Sequence, residues 1–143
     1  ADSLQRYAQD TLTLLSELRR DDVTDRELRR TLGDLEAMAH LGRYYAAKIR
    51  AAVALAEFDR DGKPGQQQAA VSRLQEALTH WKRYADVARS QYKPQLLNRI
   101  GYVDLHEITE YVEKDIVLAK QWRPGSLKGV PASQKPGDVP FRP

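Results

Sequence analysis

The chain contains no cysteine, a single methionine and only two tryptophans in 143 residues. Lack of cysteine excludes disulfides and thiolate metal sites, and it fits a reducing or an oxidising compartment equally. No segment approaches the roughly 20 continuous apolar residues of a membrane span, and no signal-peptide pattern is present. No glycine-rich loop precedes a helix in a way that would cradle phosphate, and no serine stands in a triad-like context. A one-signed charge run is missing as well. The net charge is +3, but Arg19-Arg20 is followed by Asp21-Asp22, and Arg29-Arg30 is flanked by Glu27 and Asp34. Without an uninterrupted basic face, nucleic-acid binding is not expected.

Helical period is abundant. Between Thr24 and Glu57, Leu28, Leu32, Leu35, Ala39, Gly42, Ala46, Ile49, Val53 and Ala56 succeed one another at spacings of four and three. Such a line predicts the packed seam of one long helix of roughly 50 Å. Small residues at Ala39, Gly42 and Ala46 predict close approach of a neighbouring helix. Thr24 and Glu27 read as a capping box, with Val23 and Leu28 as a hydrophobic staple. Asp61-Gly62-Lys63-Pro64-Gly65 has the composition of a helix stop and turn.

Three further helices are expected. Residues 3–20 carry Leu4, Ala8, Thr11, Leu15 and Leu18 on one face, with Asp2 or Ser3 as a cap. The short link from Asp21 to Val23 implies an antiparallel second helix. Residues 66–92 carry Val71, Leu74, Leu78, Trp81, Ala85, Ala88 and Tyr92 at the same spacing. Gln95 to Ile100 reads as a short helical turn stopped by Gly101. Asp104 and Glu107 cap a last helix with the stripe Leu105, Ile108, Val112, Ile116 and Ala119, ending near Gln121. The expected fold is all-α: an up-down-up-down four-helix bundle over residues 1–122, closing its own core. Residues 123–143, rich in proline and glycine, have no apolar period. They read as an extended or disordered tail unless Val130, Val139 and Phe141 pin it. The chain opens at Ala1 within a helical pattern, which suggests a piece of something longer.

Candidate chemistry is sparse. Each histidine has a glutamate four residues away: Glu36 with His40, Glu76 with His80, and His106 with Glu110. That spacing brings side chains together on a helix. Glu36, His40, Glu76 and His80 are the residues that facing helices would offer to a transition metal. The spacing is one longer than the Glu-x-x-His of di-iron bundles, and exposed helix pairs are the plainer expectation. Glu107, Glu110, Glu113 and Asp115 suit a solvated face better than a glycosidase carboxylate pair. Among aromatics, Trp81 and Tyr45 are expected in the core. Tyr44, Tyr84, Tyr92 and Tyr102 are the candidate contact residues. No cofactor is expected, and self-association through the long heptads is an alternative to a monomer.

Two stretches carry a family resemblance. LGDLEAMAHLGRYYAAKIRAA, residues 32–52, and ALTHWKRYADVARSQYKPQLLNRIGYVDL, residues 77–105, resemble the helical region near the C-terminus of large bacterial glycoside-hydrolase-type proteins. Those include α-glucuronidase-like and carbohydrate-binding chains. The resemblance implies a non-catalytic accessory bundle, packed against other domains of a parent whose active site lies on a separate barrel. Polysaccharide would be met through that parent, in an extracytoplasmic setting. No family catalytic carboxylate matches a position in this chain.

Overall fold

The computed structural model describes residues 1–18, 23–93, 95–97 and 101–129. Four helices account for most of them: α1 (Asp2–Leu18), α2 (Arg26–Asp61), α3 (Pro64–Gln91) and α4 (Leu105–Gln121). Successive helices run antiparallel, giving the up-down-up-down four-helix bundle that the apolar period predicts. Cross-helix bonds fix this order. Gln9 meets Arg43, Arg43 meets Glu76, and Lys82 meets Glu113.

The helix boundaries follow local chemistry. Asp25, not Thr24, caps α2, and its Oδ1 accepts from the Leu28 N–H at 2.6 Å. A carboxylate three residues ahead of that N–H reaches it, and the cap therefore sits one residue later than the capping-box reading placed it. At the other end Gly62 takes φ 68° and donates its N–H to the Phe58 carbonyl. This left-handed C-cap is open to glycine at little steric cost. Pro64 then opens α3, where its missing N–H is no loss. Asp104 caps α4 as expected, accepting from the His106 N–H at 2.8 Å.

The connection from α3 to α4 departs from expectation. Gln95–Leu97 and Gly101–Val103 are short antiparallel strands, β1 and β2, rather than a helical turn. The composition explains this, since Tyr102 and Val103 favour extended backbone and Gly101, at the start of β2, takes a φ of 89° that is open to glycine. The Asp21–Val23 link lies largely outside the described residues, as do Val130, Val139 and Phe141.

Packing is centred on the α2–α3 hairpin. Tyr44 and Ala47 of α2, Ala77 and Trp81 of α3, and Val112 of α4 form one buried cluster; Ala51, Val71, Leu74 and Ala119 form a second. Thus α4 packs mainly on α3 and reaches α2 through the side chains of Val112, Asp115 and Ala119, on the stripe the sequence assigns to it. Helix α1 packs chiefly on α2, through Ala8 and Leu15, and among the described residues α1 and α4 make no substantial contact. Gly42 is the point of closest approach, where an added Cβ would stand 3.2 Å from the Ala8 Cβ. The bundle is therefore open on the side between α1 and α4.

The start of the proline-rich tail is folded against α2. Pro124 and Gly125 form a turn, and Ser126–Gly129 form a 3-10 helix, η1. The carboxylate of Asp59, a buried side chain, accepts from the Trp122 indole N–H at 2.8 Å and from the Leu127 N–H at 3.3 Å. The Gly125 N–H bonds the Asp59 carbonyl. A buried carboxylate with these donors is satisfied, and it fastens the end of α4 to the end of α2.

Candidate functional site

The open side of the bundle has consequences for α2. Of its predicted core seam, Leu32, Ala39 and Ala46 are buried, but Leu28, Leu35, Ile49 and Val53 are exposed. The reason is geometric. Helix α2 buries one line (Gly33, Ala37, Tyr44, Ala47, Ala51, Phe58) towards α3 and α4, and an adjacent line towards α1. The predicted seam straddles the α1 contact and the uncovered side. Nothing among the described residues covers its outer half.

Helix α1 continues the uncovered surface. Bonds from Arg50 to Asp2 and from Arg43 to Gln9 fix the α1–α2 register. They also lie on the side that faces α3, since Arg43 reaches Glu76 as well. By helical geometry Tyr7, Leu14 and Leu18 project on the opposite side. The register then sets Leu4 level with Ile49, Tyr7 with Tyr45, Leu14 with Met38, and Leu18 with Leu35. Met38 is 69% exposed, Tyr7 62% and Leu14 59%. The result is a two-helix apolar strip open to solvent, larger than the scattered single exposures normal for a protein surface.

The candidate contact tyrosines fall differently from the sequence reading. Tyr44 is buried, with its ring 5.2 Å from that of Trp81, while Tyr45 is half exposed. The expected roles are reversed because one residue turns about 100° around a helix, and α4 covers the Tyr44 side. Tyr84 is half-buried, edge-on to Trp81. Tyr92 is exposed, and its hydroxyl donates to Asp34 Oδ1, which raises its pKa. The Tyr102 side chain lies outside the described residues. The four do not gather into one patch. Met38, Tyr7 and Tyr45 instead mark the exposed apolar surface. Their continued three-and-four spacing beside the buried line was the available signal.

The histidine pairs also differ from plain exposed ones. His40 Nδ1 and His80 Nδ1 face each other at 3.3 Å across α2 and α3, with rings stacked at 5.6 Å between centroids. Both are half-buried. Glu36 approaches the other edge of His40, Oε1 to Nε2 at 4.0 Å. Glu76 is engaged by Arg43 at 3.5 Å and Arg73 at 2.9 Å. His106 faces Asp86, Nε2 to Oδ1 at 3.8 Å, rather than Glu110. Among the described residues no group of three or more His, Cys, Asp or Glu converges as a metal shell. Two carboxylates of α4 are tied to neighbouring helices, Asp115 to Lys48 at 2.7 Å and Glu113 to Lys82 at 3.0 Å. Partial burial works against the Lys48 charge, but hydrogen bonds to Asp115 and Tyr44 outweigh it and raise its pKa.

An open depression of about 480 Å³ beside the start of α3 is lined by Pro64, Gly65, Gln67, Gln68, Val71 and Lys120. It presents one charged group and no acid–base pair. No helix among the described residues is long and apolar enough to cross a membrane. Comparison with family models, with curated proteins and with solved structures found no match for this chain.

Proposed function

We propose that this chain is a non-catalytic helical interaction module, an accessory part of a larger carbohydrate-active protein of the glycoside-hydrolase type. It works by docking through the outer face of α1 and α2. The observation that carries this reading is the apolar strip running from Leu4 and Ile49 to Leu18 and Leu35, left open by a bundle that buries its other seams. Such a face is unfavourable in water at roughly 25 cal/mol per Å², which a docked partner recovers. The carbohydrate setting comes from the resemblance of residues 32–52 and 77–105 alone.

Hydroxyl-radical footprinting of the full-length gene product tests the docking. These 143 residues hold one methionine, so oxidation of the peptide that carries Met38 reads this face. Tyr7 and Tyr45 should react several-fold more slowly in the native full-length product than in its Met38→Lys variant, and Met38 several-fold more slowly than free methionine. Equal reactivity would remove the reading.

A second reading, a transition-metal clip, is favoured by one observation. Two nitrogens bound to a tetrahedral ion at about 2.0–2.1 Å stand roughly 3.3 Å apart, the separation between His40 and His80 Nδ1. Two ligands and nearby Arg43 make this a weaker site than the usual three or four donors. Titration with Zn²⁺ followed by melting temperature tests it. A stoichiometric rise abolished by His80→Asn supports the clip, and no rise removes it.

A further inference from the structure

The pattern along α2 points to the occupant of the outer face, on the footing of the docking reading above. Stepping by three and four between Glu27 and Arg60, the outer stripe carries no charged residue except at these two ends. Leu35 and Ile49 stand seven residues either side of Gly42; Met38 stands four before it and Tyr45 three after. The stripe is therefore close to its own mirror in length and bulk, which is what a two-fold interface requires, because the same patch must meet itself. We propose that a second copy of this chain occupies the face, with α2 antiparallel to α2 of that copy. A two-fold axis beside Gly42 places Leu35 against Ile49 of the second copy and Met38 against its Tyr45.

Two further observations favour a second copy in this orientation. The first is area. Ten large apolar side chains on α1 and α2 are between 40% and 69% exposed. At roughly 200 Å² per large side chain they present about 1,000 Å², above the ~800 Å² per partner of a stable interface and the ~300–600 Å² patch of an ordinary monomer. The second is charge. The stripe ends in Glu27 on one side and Arg60 on the other, both exposed. Antiparallel pairing brings these unlike charges within about a turn of each other, whereas parallel pairing sets like on like. Arg60 is bonded to its neighbour Asp61; an exposed pair of that kind is readily exchanged.

Sedimentation at several concentrations, with cysteine cross-linking, tests the proposal. The chain should sediment as a dimer at micromolar concentration, and Met38→Glu should weaken association by about 100-fold or more while leaving the monomer's helical circular dichroism unchanged. The native chain has no cysteine, so introduced thiols report alone. Leu35→Cys with Ile49→Cys should cross-link two chains on oxidation, and Leu35→Cys alone should not. A dimer cross-linked by Leu35→Cys alone overturns the antiparallel arrangement. A chain monomeric at every concentration overturns the dimer. If Met38 is then still shielded in the full-length product, the docking reading stands without it; if Met38 is fully reactive there, both fall.

Discussion

His40 and His80 meet Nδ1 to Nδ1 at 3.3 Å, one on α2 and one on α3, so at least one ring nitrogen must carry a proton and the other must accept it. Burial holds both pKa values below the ordinary histidine value. Arg83 and Arg43 act in the same sense on His40, and Arg43 and His40 do so on His80. Glu36 and Glu76 oppose them. The unfolded histidines protonate near pH 6.5, and the folded pair resists until lower pH. The stability contributed by the neutral pair is thus present above pH 6.5 and lost as pH falls through the lowered folded values. The melting temperature should be level from pH 8 to 7 and decline between pH 6.5 and 5. His40→Asn should flatten that decline. An unchanged slope in the variant would show that other groups set the acid limb.

Asp59 and Trp122 form the second long-range polar contact of consequence. Replacing Asp59 by Ala leaves the indole N–H and the Leu127 N–H without their acceptor. An orphaned buried donor costs about 1–3 kcal/mol, and water reaching this end of the bundle limits the loss to about 2 kcal/mol. The damage should be local. Amide exchange should quicken over residues 122–129 while α2 and α3 keep their protection, and Trp122 emission should shift to the red in a Trp81→Phe background. Uniformly faster exchange would mean that Asp59 holds the whole bundle.

Trp81 is wedged between Tyr44 and Tyr84 at 5.2 and 5.5 Å, and donates to Thr109 Oγ1 at 3.1 Å. It therefore joins α2, α3 and α4 in one contact. Trp81→Ala should cost about 3–5 kcal/mol. Thr109→Val, which keeps the shape but removes the acceptor, should cost about 1 kcal/mol. Urea unfolding measures both. A loss below 1 kcal/mol for Trp81→Ala would move the core away from this cluster.

The sequence is most informative where one helix has one neighbouring groove. The α4 stripe of Val112, Ile116 and Ala119 lies where its period puts it. Helix α2 has neighbours on several sides, and alanine fills adjacent lines along it, so period alone cannot tell a buried line from the next one round. That ambiguity exchanges Tyr44 with Tyr45 and leaves Leu35, Met38 and Ile49 outside. His40 and His80 are hidden for another reason. A spacing of four within one helix points each towards its own glutamate, whereas the contact is set by the register of the α2–α3 hairpin. Counting outward from the turn at Gly62 puts them 22 and 18 residues away, within about one helical turn of the same level, and this is the signal to look for. The pairing of Gln95–Leu97 with Gly101–Val103 is obscured because proline and glycine residues such as Pro94 and Gly101 punctuate helical turns and strand connections equally well in a sequence.

Gly42 offers the most direct test of the α1–α2 contact. A Cβ there would stand 3.2 Å from the Ala8 Cβ and 3.5 Å from Leu4 Cδ1. Ala gains about 1 kcal/mol of helix propensity over Gly, while α1 must move out by a few tenths of an ångström. The two effects nearly offset, so Gly42→Ala should change stability by less than about 1 kcal/mol. Leu has no such room. Gly42→Leu should lift α1 from α2, expose Ala8 and Leu15, and cost about 2–3 kcal/mol. Its signature is selective: amides of α1 should lose exchange protection while those of the α2–α3 hairpin keep theirs. A Gly42→Leu variant with α1 still protected would show that the close approach at Gly42 does not hold α1 in place.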